Sequence, residues 1–456
     1  MADTRRLRVR DYHVVASAGG RPQLLYDMER TQVFSLAGAG SIDGGGELAA
    51  CLSANDVATC SPAPAPFAAT AGLTVTHVSL DTAGVCNMGC RYCFEADIGA
   101  RRGPMSSHVL EQTIAMVFEN AGDGGLVFHF ASGEPLAAFP VLAEAVRKIE
   151  DNSRAFAVPV SFTVTTNGTL ISPEIASFLA DHAFKVQVSL DGPPDTHNKN
   201  RPMLGGQDSY ERVSCGLGLL SERLPRADLT VNTVISPEAS LATLWSWAKT
   251  LPVGIWIAIP VGARSQRVAE SDLQRRQFDL ECMVDEIATA YEAGVEIVEY
   301  QPLTKVLRKL ATPAPAVRYC GAAASFIGVR ADGQVYPCLR QLGLDAHLIG
   351  DVAAGLDNSA RAKYLSAIAT PVDRRAGCAS CWARYLCGGG CYADSVVYGD
   401  DPAAPLDAHC AFFRLDIEAA IRLFDRLRCS APLAIIDLFG KDARSSFDDR
   451  MSYLNF

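Results

Sequence analysis

A chain of 456 residues, 49% of them hydrophobic, carries enough apolar material for a large core and for two or three folding units. Its net charge of −10, with 20% charged residues, speaks against a general nucleic-acid binder, which would more often be basic. No run of about 20 apolar residues occurs, and the basic start from Met1 to Arg10 leads into no apolar stretch; the expectation is a cytoplasmic protein with no membrane partner.

Fifteen cysteines is a high count. In a large reduced chain, clustered thiols read as metal ligands and not as disulfides. Five of them are scattered: Cys51, Cys60, Cys215, Cys282 and Cys429. These are expected to be small buried hydrophobes.

Along the chain, residues 1–70 carry three β-like stretches, His13–Ser17, Gln23–Met28 and Gln32–Leu36. A glycine-rich turn at Gly44–Gly46 precedes a short helix near Glu47–Ser53, and Ser61–Pro66 reads as a stiff linker. Residues 71–311 alternate strand and helix. Apolar runs lie at Leu73–Leu80, Gly125–Phe130, Val160–Thr165, Lys185–Leu190, Leu229–Ile235 and Ile255–Val261. Helical patterns lie near Ser107–Asn120, Val141–Ile149, Glu174–Asp181, Ser209–Glu222, Leu241–Thr250 and Ser271–Ala293. Six βα units predict an α/β fold, a partial (β/α)6 TIM-like barrel, with its chemistry at the C-terminal strand ends. Residues 312–428 hold the remaining patterned cysteines and close with a helix at Ala411–Leu427; residues 429–456 form a charged tail.

The first cysteine set, Cys86-Asn-Met-Gly-Cys90-Arg-Tyr-Cys93-Phe-Glu, follows the first strand of the barrel. Three thiolates suit three irons of a four-iron cubane and leave the fourth iron open to a small chelating ligand. Zinc is the rival, but structural zinc wants four ligands and no fourth Cys or His follows locally. The CxxxCxxC spacing, with Tyr92 and Phe94 flanking Cys93, resembles the radical S-adenosylmethionine (SAM) superfamily, over roughly residues 73–425. The resemblance implies a [4Fe–4S] cluster on Cys86, Cys90 and Cys93 that reductively cleaves SAM to a hydrogen-abstracting 5′-deoxyadenosyl radical.

Further strand-end motifs carry the resemblance. Ala131-Ser-Gly-Glu-Pro135 resembles the family's GGEP turn, implying that Glu134 accepts from the SAM amino group and that Gly133 allows close approach; Ser132 replaces the usual glycine. Thr165-Thr-Asn-Gly-Thr169 brings Asn167 to the third strand end, although by itself it is an ordinary Asn-Gly turn. Val188-Ser-Leu-Asp-Gly192 followed by Arg201 implies that Ser189 and Arg201 contact SAM, Arg201 through its carboxylate; the plain alternative for Arg201 is a surface salt bridge. Asn232–Ile235 is expected near the adenine, or as plain core.

The second set runs Cys320, Gly333-Gln-Val-Tyr-Pro-Cys338, Cys378-Ala-Ser-Cys381, Cys387-Gly-Gly-Gly-Cys391 and Cys410. It resembles the SPASM extension of radical SAM peptide maturases. That implies two auxiliary clusters, one on Cys378, Cys381, Cys387 and Cys410 and one on Cys320, Cys338 and Cys391. With the first cluster this makes three [4Fe–4S] clusters besides SAM; zinc ribbons are the alternative. Sulfatase-maturing relatives have another cysteine soon after the first, and Ala322–Gly328 holds none, which implies an open iron on the Cys320 cluster.

Sulfatase maturases also carry an aspartate base where Leu339 stands here, which argues against formylglycine formation by that route. The motif surroundings resemble six-cysteine maturases of the ranthipeptide and quinohemoprotein amine dehydrogenase type. The expectation is therefore a peptide maturase that forms intramolecular thioether cross-links. Its partners would be a precursor peptide or small protein subunit and an electron donor such as flavodoxin or ferredoxin. Alternatives are a carbon–carbon cross-link, an epimerised residue or formylglycine, and, outside enzymes, a zinc-binding or electron-transfer protein. The β-rich start resembles a peptide-recognition module that would bind a leader by strand addition, with a barrel-capping extension as the plainer reading. No residue is assigned as the substrate base.

Overall fold

The computed structural model describes residues 12–15, 24–27, 32–35, 74–95, 103–122, 124–235, 239–260, 268–311 and 315–431. The expected glycine turn, short helix and stiff linker of the first 70 residues, together with Cys51, Cys60 and the charged tail beyond residue 431, lie outside them.

The N-terminal strands β1 (Tyr12–Val15), β2 (Leu24–Asp27) and β3 (Gln32–Ser35) form an antiparallel meander in that order. It is docked on the C-terminal region: Arg428 Nη1 donates to the Val33 carbonyl at 3.0 Å, and the Tyr26 ring meets Trp382 edge-on at 6.3 Å.

The barrel alternates β4 (His77–Leu80), α1 (Ser107–Glu119), β5 (Leu126–Phe130), α2 (Phe139–Phe156), β6 (Val160–Thr166), α3 (Pro173–Asp181), β7 (Lys185–Ser189), α4 (Pro194–Asn200), α5 (Tyr210–Ser221), β8 (Leu229–Ile235), α6 (Leu241–Ala248), β9 (Ile255–Pro260) and α7 (Glu270–Glu292). The six expected strands pair in parallel, each to the next. Every residue of β4 and β5 is buried, as a parallel strand covered on both faces requires. The helices start where serine can cap them: Ser106, Ser172 and Ser240 accept from Val109 N, Ile175 N and Thr243 N.

Beyond α7 the structure adds a short parallel strand β10 (Glu299–Tyr300) and α8 (Gln301–Ala311), neither of which the apolar runs announce. The cysteine-rich region then supplies β11 (Phe326–Val329), β12 (Gln334–Tyr336), β13 (Gly350–Asp351) and β14 (Gly355–Leu356). Strand β11 pairs in parallel with β4, Phe326 opposite His77. Among the described residues the result is one 11-stranded sheet in the order β10-β9-β8-β7-β6-β5-β4-β11-β12-β13-β14. The boundary expected at residue 312 is therefore not a break in the sheet. The chain closes with α9 (Asn358–Ala367), α10 (Arg384–Cys387), α11 (Tyr392–Tyr398) and α12 (Asp407–Ser430). Helix α12 is tied to the barrel by a buried fork: Arg276 Nη2 reaches both oxygens of Asp416, at 2.8 and 2.9 Å, and the Tyr300 hydroxyl at 3.2 Å.

One sequence expectation fails here. Cys215, Cys282 and Cys429 are exposed, not buried. Cys215 and Cys282 lie on the outward faces of α5 and α7, whose inward faces are filled by Val213, Leu217 and Leu220 and by Leu280, Met283 and Val284.

Candidate active site

The C-terminal ends of β4 to β8 surround a cavity of about 220 Å³. Six cysteines line it: Cys86, Cys90 and Cys93 from the loop after β4, and Cys320, Cys338 and Cys391 from the cysteine-rich region. The loop after β4 is held from several sides. Gly89 N donates to Pro202 O at 2.8 Å, Arg91 N to Asn200 O at 3.0 Å, and Leu204 N to Asn87 O at 3.1 Å. Gly133 packs against it so closely that a Cβ there would lie 2.3 Å from Val85 O.

Burial pushes the Cys86 thiol up to about 12, and the neighbouring carboxylate of Glu134 adds to the effect. Burial likewise raises Cys90, against the pull of the Arg201 cation. Cys86 and Cys90, partly buried and raised in this way, are disfavoured as thiolates unless a metal supplies the positive charge. Among the described residues no group of three or more His, Cys, Asp or Glu side chains is close enough to hold a single metal ion. A cubane spreads its thiolates over three irons, so the all-sulfur, cavity-facing set of Cys86, Cys90 and Cys93 fits a cluster better than one tetrahedral zinc.

Each residue expected to hold SAM has a definite place. Tyr92, Phe94, Ser132, Gly133, Asn167, Ser189 and Arg201 all line the cavity. Ser132 stands in the left-handed region at φ 82°, a conformation that explains why glycine is usual there. Asn167 does two things at once. Its Oδ1 accepts from Thr169 N at 3.0 Å, which is the ordinary Asx turn, and its Nδ2 donates to Asn87 Oδ1 at 2.8 Å across the cysteine loop. Arg201 is buried rather than in a surface pair: its Nε lies 3.0 Å from Asp191 Oδ1 and its guanidinium carbon 5.2 Å from the Tyr92 ring centre. The Tyr92 hydroxyl also donates to Asp191.

Glu134 is held by the protein's own donors. It does not line the cavity. Its Oε1 accepts from Thr166 Oγ1 at 2.7 Å and Leu136 N at 3.1 Å, and its Oε2 from Asn167 N at 2.7 Å. A carboxylate buried in a turn takes the nearest donors, and these are the protein's own. Burial still pushes Glu134 up to about 7. Glu95, which sequence reasoning passed over, takes the cavity position: both its oxygens accept from Gly133 N, at 2.8 and 2.9 Å. The signal was present as the Glu after Cys93-Phe94. His129 was also missed. It lines the cavity from β5, with Nδ1 3.3 Å from Ser79 Oγ and Nε2 2.9 Å from Thr165 Oγ1. Asn232 and Val234 line the same wall.

The later cysteines fall into two neighbourhoods. Cys320, Cys338 and Cys391 are one another's charged neighbours, burial pushing Cys338 up to about 12 and Cys391 to about 11. Cys378, Cys381, Cys387 and Cys410 are grouped in the same way, burial raising Cys378 to about 11 and Cys410 to about 12. Only the first group reaches the cavity. Lys305 of α8 sits near both, its ammonium lowered by burial and pulled back up by Cys387, Cys320 and Cys391.

Residues 80–251 match the family model of the radical SAM superfamily. This stretch is a radical SAM domain. Over 133 residues the chain is 34% identical to the cysteine-type anaerobic sulfatase-maturating enzyme of Clostridium perfringens, covering 28% of this chain and 36% of that enzyme. The chain thus spans about a third of the length of that relative. The serine-type enzyme of Klebsiella aerogenes is 23% identical over 372 residues, 77% of this chain and 87% of the relative. Among solved structures, native anSMEcpe with bound AdoMet superposes with a TM-score of 0.66 at 20% identity, over 78% of this chain and 100% of that one. The same protein with AdoMet and the Cp18Cys peptide gives 0.63 at 21%, over 78% and 99%. These structures share the fold, a parallel sheet with helices, and in this chain a cysteine-rich C-terminal region feeds the same cavity.

Proposed function

We propose that this protein is a radical SAM enzyme that modifies a side chain of a peptide or protein substrate. The observation that carries the reading is the shared cavity, lined by Cys86, Cys90 and Cys93 on one side and Cys320, Cys338 and Cys391 on the other. A reduced four-iron cluster on the first set would supply the electron that cleaves SAM. Around it, Arg201 offers a guanidinium for a carboxylate, Ser189 and Asn232 offer polar atoms at adjacent strand ends, and Tyr92 and Phe94 add aromatic faces to the wall. The peptide class comes from relatives: sulfatase-maturating enzymes, and anSMEcpe bound to a peptide.

Those relatives favour oxidation of a peptidyl cysteine or serine to formylglycine. One observation favours a thioether instead. Leu339, directly after Cys338, lines the cavity with no proton-accepting group, and three auxiliary thiols stand on the same wall. Anaerobic reconstitution of the full chain, followed by reductant, SAM and cysteine-containing test peptides, separates the readings. Formation of 5′-deoxyadenosine with exchange of the peptide sulfur for oxygen supports formylglycine. Loss of two hydrogens with the sulfur retained and the free thiol gone supports a thioether. Deoxyadenosine formation that survives Cys86→Ala would falsify the enzyme reading altogether.

A further inference from the structure

Arg340 is the cation on the cavity wall that neither reading uses. It follows Cys338 by two residues and is 9% exposed. Its planar fork points three ways. Nη2 donates to Asp394 Oδ1 at 2.5 Å, Nη1 donates to Cys391 Sγ at 3.5 Å, and the guanidinium carbon lies 5.4 Å from the ring centre of Phe94, next to Cys93. Asp394 stands in the first turn of α11, which begins right after Cys391. One short segment therefore provides both the sulfur and the carboxylate that aims the arginine at it.

We propose that Arg340 is a positioning residue that sets the reduction potential of a cluster held by Cys320, Cys338 and Cys391. The proposal rests on the cluster reading of those cysteines made above. The physical argument concerns charge. Reduction adds a negative charge to a cluster, and a hydrogen bond to a ligand sulfur from a fixed cation stabilises the more negative state. Burial removes competing water and strengthens the interaction. Asp394 offsets part of the positive charge but holds the fork in place, and arginine is suited to this because its donors lie in one rigid plane. The Phe94 face fixes the remaining side of the guanidinium and links the wall of the second thiol set to the loop of the first.

The test is potentiometry on the full-length, anaerobically reconstituted chain, with iron content and electron paramagnetic resonance followed together. The transition that disappears in Cys338→Ala identifies the cluster concerned. Arg340→Gln is expected to move that transition to more negative potential by at least a tenfold change in the reduced-to-oxidised ratio, about 59 mV for one electron. Arg340→Lys keeps the charge and the partner for Asp394 but loses the fork, so a smaller shift in the same direction is expected, in a variant that retains the buried ion pair. Arg276→Gln removes a buried arginine that bonds Asp416 and Tyr300 and no cysteine, and is expected to leave the transition in place. Unchanged potentials in both Arg340 variants, or equal shifts of every transition, overturn the proposal while leaving the cluster reading intact. The absence of any Cys338-dependent transition overturns the cluster reading itself, and the proposal with it.

Discussion

Gly133 donates its single backbone N–H to both carboxylate oxygens of Glu95, at 2.8 and 2.9 Å. This bond joins the two motifs that define the site, the cysteine loop and the Ser132-Gly133-Glu134 turn. Charge-assisted bonds of this kind are worth roughly 1.5–3 kcal/mol. Glu95→Ala should leave iron at Cys86, Cys90 and Cys93 but release the turn. The expected result is a fall of tenfold or more in 5′-deoxyadenosine formation at unchanged iron content. Wild-type turnover in Glu95→Ala would show that the turn holds itself.

Ser132 gives a stability test. Its φ of 82° is costly for any residue with a Cβ, by about 1–2 kcal/mol. Ser132→Gly should raise the thermal midpoint, and Ser132→Val should lower it, since β-branching worsens the same clash. An unchanged midpoint in both would mean that the turn relaxes.

Much of this site could be read from the sequence because it rests on local chemistry. Serine caps before apolar periodicity mark α1, α3 and α6, and apolar runs interrupted only by His77, Ser79 and His129 mark β4 and β5. Two of the cysteine sets and most of the strand-end motif residues line one cavity. What escaped depends on distant parts of the chain. Strand β11 is a barrel strand only because Phe326–Val329 finds the free edge of β4, roughly 250 positions away in sequence. Arg201 pairs with Asp191 and lies over Tyr92, and Glu134 accepts from Thr166 and Asn167, and no spacing rule announces these braces between distant residues. Cys215 and Cys282 show the converse: the general tendency of cysteine to bury yields to the helix face on which each falls.

His129 gives a pH prediction. Burial lowers it from 6.5 to about 4, so the folded chain keeps it neutral where the unfolded chain protonates it. The unfolded state then binds more protons between these values, and stability falls as pH falls from 6.5 towards 4. The limit is roughly 3 kcal/mol from this one group. Asp81 and Glu134, both raised by burial to about 7, act in the opposite sense over an overlapping range, so the whole-protein slope is a sum. The difference between wild type and His129→Gln isolates the histidine. In urea unfolding, the wild type should lose stability relative to the variant as pH drops, and a constant difference from pH 7 to 4.5 would rule the effect out.

Alkylation kinetics test the division of the cysteines. Thiols react as thiolates, so both exposure and a low pKa are needed for speed. Cys215, Cys282 and Cys429 are exposed, whereas burial raises the thiols of Cys86, Cys338, Cys391 and Cys410. In the folded, metal-free chain, iodoacetamide should label the exposed three first. The more enclosed thiols should react more slowly, Cys391 slowest, and peptide mass spectrometry reads the order directly. Reconstitution with iron and sulfide should then slow the enclosed set further and leave the exposed three unchanged. Early labelling of Cys338 or Cys391 would mean that the wall they form is open to solvent, and with it the water-excluded surroundings that the Arg340–Cys391 contact requires.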